Sequence, residues 1–171
     1  NTYTKAREAL GHEVQHYDLY TTEHQLPFLK FESPSEWPAH PSITHFQDRV
    51  IWADEIVFVH PVWWHGMPAI MKNWIDTIFQ SKFAFKYVDG KPVGLLKGRS
   101  AKVFATSGGP TLLFTIFFSP FRLVWEKMIN GFCGLDNKCL LVIGDMAGPN
   151  DNMHNIKFNN FLLRVSDAAK L

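Results

Sequence analysis

The sequence predicts an α/β fold: an open parallel sheet with helices on both faces. Three observations carry that prediction. Ile56–Val59, Ser100–Thr106 (SAKVFAT) and Lys138–Gly144 (KCLLVIG) are short apolar runs of the kind that form strands buried on both faces. Helical patterns at Ile43–Trp52, Arg122–Cys133 and His154–Leu171 separate or follow those runs. Glu55–Phe79 (EIVFVHPVWWHGMPAIMKNWIDTIF) reads as strand, loop and amphipathic helix, one half of a βαβ unit.

The chain has 171 residues, enough for one domain with its own core, and residues 1–171 are read as a single domain. A 46 % hydrophobic and 15 % aromatic content fits a folded chain and excludes a disordered one. The formal charge is +1 with no basic stripe, so nothing favours nucleic acid. Cys133 and Cys139 are too few for a disulfide framework and are expected to be buried thiols. No signal peptide and no bilayer-long apolar run is evident, so a soluble, cytoplasmic protein is expected.

The elements follow in order. Tyr3–Leu10 resembles the end of a helix, with Gly11 as its stop, and His12–Leu19 alternates like a strand. Thr21–Ser42 carries Pro27, Pro34, Pro38 and Pro41 and is expected to be a long surface connection. Ile43–Trp52 is a helix turning Ile43, Phe46 and Val50 inward. After the strand at Glu55, Pro68 suits the first position of a helix. Ile70, Met71, Trp74, Ile75, Ile78 and Phe79 form its apolar stripe, and Lys72, Asn73, Asp76 and Thr77 its polar face. Phe79–Gly98 is an excursion, with Phe83–Tyr87 and the Asp89-Gly90 pair predicting a hairpin. Leu112–Phe118 with Pro120-Phe121 is strongly apolar and has three readings: core, a dimer face or substrate wall, or a membrane-surface anchor. Arg122–Cys133 is a helix stopped by Gly134, and His154–Leu171 closes the chain with Ile156, Phe161, Leu162, Val165 and Ala168 inward.

In open α/β sheets ligands bind beyond the carboxyl ends of the strands, where the His60–Met67 loop must lie. Trp63, Trp64 and His65 there suit a flat aromatic ligand, although each tryptophan could equally fold back into the core. The strand Ser100–Thr106 ends in Ser107-Gly108-Gly109-Pro110, either a plain turn or a close backbone approach for a planar ligand. The eight histidines are scattered without ligand spacing, so no metal is expected. There is neither a P-loop nor a GxGxxG.

His60 to Asp76 (HPVWWHGMPAIMKNWID) resembles the signature of the flavodoxin-like NAD(P)H:quinone oxidoreductases, the drug-activity-modulator type included. That pattern runs aromatic-Pro-hydrophobic-x-Trp-x-x-x-Pro-Ala-x-x-Lys-x-Trp-x-Asp. The resemblance implies a flavodoxin-like doubly wound sheet and a bound flavin, FMN or FAD. NADH or NADPH would deliver a hydride to the flavin and be replaced in the same pocket by a quinone or similar acceptor. It assigns Pro61, Val62, Trp63, Trp64 and His65, with Thr106, Ser107, Gly108 and Gly109, to the flavin, and makes His65 the candidate for proton management. It also implies a homodimer.

Two departures accompany it. The family opens with a strand and a phosphate-binding loop that precede the first helix, so upstream residues are expected to be missing from this chain, the alternative being a natural deletion of a central strand. Some members place a Tyr and a His after the Gly-Gly pair, where this sequence has Leu113, Phe114, Thr115, Phe117 and Phe118. A flavodoxin-type electron carrier and a non-catalytic regulatory subunit remain as alternatives; the carriers are usually strongly acidic, unlike this chain.

Overall fold

A computed structural model describes residues 2–30, 41–116, 119–148 and 152–171. Its centre is a parallel sheet of β1 (Glu55–Pro61), β4 (Ser100–Thr106) and β5 (Asp136–Ile143), with β4 in the middle. Between them a separate antiparallel hairpin, β2 (Phe85–Val88) and β3 (Lys91–Gly94), turns at Asp89 and Gly90. Both turn residues have positive φ, 50° and 74°, as a two-residue hairpin turn demands.

The middle strand explains the layers. Ala101, Val103 and Ala105 point to one face, where α2 (Pro41–Trp52), α3 (Ala69–Ile78) and Trp125 cover them. Phe104 points to the other, against Tyr3 of α1 (Thr2–Ala9) and Phe161, Val165 and Ala168 of α6 (Asn152–Ala168). This period of two puts helices on both faces, as expected.

Lys102 shares the face of Phe104 and has no exposed surface. Its ammonium lies 2.9 Å from Glu55 Oε2 and donates to the Ala168 carbonyl (2.6 Å) and the Tyr3 hydroxyl (3.0 Å). Tyr3 in turn donates to Glu55, and Arg7 stands 3.4 Å from the same carboxylate. Burial alone would raise the Glu55 pKa, but hydrogen bonds from Tyr3 and Lys102 and the charges of Lys102 and Arg7 bring it below the usual value. Burial and the Glu55 carboxylate push the Tyr3 phenol well up. The cluster ties α1, β1, β4 and α6 together at the amino end of the sheet.

Several expectations need correction. His12–Leu19 is not a strand: among the described residues it makes no ladder, and an open groove of about 480 Å3 lies between it and the free edge of β1. For the same reason β1 is not buried on both faces; Val59 is 67 % exposed on that groove. The connection Thr21–Ser42 contains a 3₁₀ turn, Thr22–His24, and ends early because α2 already starts at Pro41; residues 31–40 lie outside the described ones. On α3, Thr77 is buried and Asn73 is half-buried. The Asn73 amide instead holds the connection, accepting from Leu29 N–H and donating to the Leu26 and Pro27 carbonyls.

Arg122–Cys133 is not a plain α-helix. A short α5 (Pro120–Leu123) passes into a π-helix over Val124–Gly131 before Gly134 (φ 83°) ends it. On α6, Ile156 faces outward, 59 % exposed. Among the described residues no helix is long and apolar enough to cross a membrane.

Candidate flavin site at the carboxyl end of the sheet

Parallel pairing brings the first two candidate loops together. Pro61 stands opposite Thr106 as the last pair of the β1–β4 ladder, and Val62 N–H continues it by donating to the Thr106 carbonyl at 2.7 Å. Pro61–His65 and Thr106–Gly109 therefore leave adjacent strand ends side by side. All nine residues expected at the site fall in this one cluster.

The first loop is a tight hairpin. Trp63 and Gly66 exchange two backbone hydrogen bonds (3.0 and 2.8 Å), leaving Trp64 and His65 alone at the tip with φ of 50° and 57°. Left-handed backbone costs a non-glycine residue roughly 1–2 kcal/mol. Asn-Gly would suit such a turn; a Trp-His pair there is strain of the kind that gathers at binding sites. Trp64 is fully exposed and Trp63 55 % exposed, so neither is a core residue. His65 is exposed too and rests on Phe114, ring centres 5.2 Å apart. Phe114 belongs to the short helix α4 (Leu112–Thr115) and is itself buried. That apolar stretch divides: Phe114 and Phe121 enter the core, while Leu112, Leu113 and Ile116 stay exposed; residues 117–118 lie outside the described ones.

The second loop is held from below by a third that sequence reasoning missed. Ser107 N–H donates to Ile143, Met146 N–H to Ser107, and Asp145 N–H to Gly109, all at 2.8–2.9 Å. Gly144 N–H donates to Thr111 Oγ1 (2.9 Å), and a Cβ on Gly144 would stand 2.3 Å from the Gly109 carbonyl. Only a glycine permits that approach. Asp145 is left-handed (φ 61°) and paired with Lys157 of α6 at 2.5 Å. Nothing in the segment Gly144–Ala147 marks it as part of a site except its position at the end of β5.

Polar groups at this end are unused. Among the described residues, the N–H groups of Trp64, His65 and Gly108 donate to no protein acceptor. A Cβ on Gly108 would lie 3.1 Å from the Ala147 Cβ, so a side chain there would crowd the cradle. Free N–H donors beside exposed indoles and a bare glycine fit a planar heteroaromatic ring whose edge carries carbonyl oxygens and ring nitrogens, and a flavin is such a group. No group of three metal-ligating side chains occurs among the described residues.

An open parallel sheet with convergent loops at its carboxyl edge defines the class, and the chain belongs to the flavodoxin-like fold family, whose model matches residues 1–159. Over 102 residues it is 34 % identical to an uncharacterized NAD(P)H oxidoreductase of Haemophilus influenzae, covering 58 % of this chain and 50 % of that protein. Over 109 residues it is 36 % identical to an FMN-dependent NADH:quinone oxidoreductase of Caldicellulosiruptor bescii, covering 63 % of this chain and 53 % of that one. The chain thus spans about half the length of these relatives. The crystal structure of Smu.1420 from Streptococcus mutans superimposes with a TM-score of 0.79 at 26 % identity, covering 97 % of this chain and 90 % of that one.

Proposed function

We propose that this protein is a flavin-dependent oxidoreductase that passes reducing equivalents from NAD(P)H to a quinone-like acceptor. The observation that carries the proposal is the cluster of exposed indoles and unused N–H donors at the carboxyl end of the sheet, in a chain akin to an FMN-dependent NADH:quinone oxidoreductase.

A bound flavin supplies the hydride chemistry. The protein's part is to bind, orient and exclude water. Trp63 and Trp64 give apolar walls, and Pro61 and Val62 set the height of that loop above the sheet. The N–H groups of Trp64, His65 and Gly108 and the hydroxyl of Thr106 would hold the polar edge of a flavin, where such donors would steady the negative charge that reduction adds. The Ser107 hydroxyl accepts from Gly109 N–H (3.1 Å), so its task is to hold the Gly-Gly turn. His65, exposed at the loop tip, would be the residue placed to exchange the proton that flavin reduction requires.

The protein acts as a homodimer. Leu112, Leu113, Ile116, Leu123 and Met128 are all exposed on or beside consecutive elements, the first of which carries the Phe114 that His65 rests on. A second copy is the occupant that would turn this apolar wall into one side of a closed pocket.

The visible spectrum of the purified protein, before and after anaerobic NAD(P)H, tests the reading. Bound-flavin absorption that bleaches on addition is the expected result. Flavin that stays oxidised would point to an electron carrier or a regulatory subunit, and failure to take up FMN or FAD would overturn the proposal.

A further inference from the structure

His60 is the one titratable side chain of β1 that enters the core on the carboxyl side, and it is only 5 % exposed. Burial lowers its pKa below the usual imidazole value, so the ring is neutral near pH 7. Nδ1 lies 2.8 Å from the Pro61 carbonyl. A carbonyl can only accept, so the proton sits on Nδ1 and Nε2 carries the lone pair. That Nε2 is buried and has no partner among the described residues.

The rest of the environment is aromatic. The imidazole stacks on Trp125 of the π-helix (ring centres 5.4 Å, 30°) and touches Phe121 (5.8 Å). Trp125 is itself fully buried and packed on Phe58 at 4.7 Å, so the platform is rigid. A phenylalanine would fill such a place without leaving a buried nitrogen unsatisfied. The polar return for having a histidine is the single bond to the Pro61 carbonyl.

That carbonyl belongs to the same peptide unit as Val62 N–H. The two groups point opposite ways across a trans peptide. The N–H reaches Thr106 and the C=O reaches His60, so the unit is gripped on both sides just before the Trp63–Gly66 hairpin begins. Rotation of this one peptide would tilt the hairpin and break the link to Thr106.

We propose that His60 is a positioning residue: through its Nδ1–H it locks the Pro61–Val62 peptide and so sets the Trp63–His65 loop in register with Thr106–Gly109. The consequence for flavin binding rests on the reading given above, whereas the positioning itself does not. The test compares the wild-type protein with His60→Phe, which keeps a stacked ring without the donor, and His60→Asn, whose amide can replace Nδ1–H. Hydrogen exchange at Val62 N–H, in flavin-free protein, should quicken about tenfold in His60→Phe and return close to wild type in His60→Asn. Exchange at Phe104 within β4 should stay unchanged. FMN affinity should fall by a similar factor, about tenfold, in His60→Phe alone. Unchanged Val62 exchange in His60→Phe, or equally fast exchange in His60→Asn, would overturn the proposal, because the ring would then act only by packing. Should His60→Phe fail to fold, nitrogen-15 spectra of wild-type histidine decide: a proton on Nδ1 supports the lock, and one on Nε2 refutes it. Wild-type protein that binds no FMN would sink the proposed function and leave the exchange experiment intact.

Discussion

The two ends of β4 are built on opposite rules. At the amino side Lys102 is sealed from solvent, and its charge is met by Glu55, Tyr3 and the Ala168 carbonyl. At the carboxyl side Thr106–Gly109 stands beside a strained hairpin with a bare indole and N–H groups that meet no acceptor among the described residues. One end satisfies its polar groups internally and gains rigidity. The other leaves N–H groups to solvent, without a protein acceptor among the described residues, and carries backbone strain, a combination that supports the ligand site proposed above. The contrast teaches where to look for stability and where for function in this sheet.

Breaking the first end should have the largest effect. Lys102→Met leaves the Glu55 carboxylate nearly buried without its closest counter-charge, and should cost about 3–5 kcal/mol in urea denaturation. The folded fraction should still bind FMN as the wild type does.

Acid should act on both ends in separate steps. The His60 imidazole is held neutral, so the unfolded chain takes up a proton first as pH drops. Stability is full above about 6.5 and declines below it. Glu55 is depressed, so its contribution is full above about 4.5 and is lost as pH falls through its lower folded-state value. Urea midpoints against pH should show both phases, and His60→Asn should remove only the upper one.

The smallest change in stability carries the sharpest contrast. Trp64→Gly removes a left-handed non-glycine residue from an exposed tip and should stabilise the fold by about 0.5–1 kcal/mol. The same variant should bind FMN several-fold more weakly. A variant that gains stability while losing ligand would mark the hairpin as a place where strain serves binding.

Much of this was legible in the sequence, for physical reasons that differ by element. The strands β4 and β5 show as apolar runs because helices cover them, and the Asp89-Gly90 turn shows because two positive φ values demand such residues. Pro61–His65 and Thr106–Gly109 could be set side by side only through the family resemblance, because apolar runs alone do not say which strands are neighbours. His12–Leu19 misled because alternation reports a face, not a pairing partner. The Lys102 cluster was invisible because its partners come from remote helices and strands. The π-helix was hidden too, since one extra residue per turn hardly disturbs the spacing of Phe121, Trp125 and Phe132. The Gly144–Ala147 loop carries no aromatic or glycine pair to announce it, and only its bonds to Ser107 and Gly109 assign it to the site.

The most direct test of the central claim is an FMN fluorescence titration of the wild-type protein beside Gly108→Val. Gly108 lies in the Thr106–Gly109 loop, and a side chain there would crowd Ala147, far along β4 from the Lys102 cluster. Saturable quenching by the wild type, weakened about tenfold or more in the variant, is what this account predicts. Wild-type protein that leaves FMN fluorescence unchanged, or a variant that binds equally well, would contradict it.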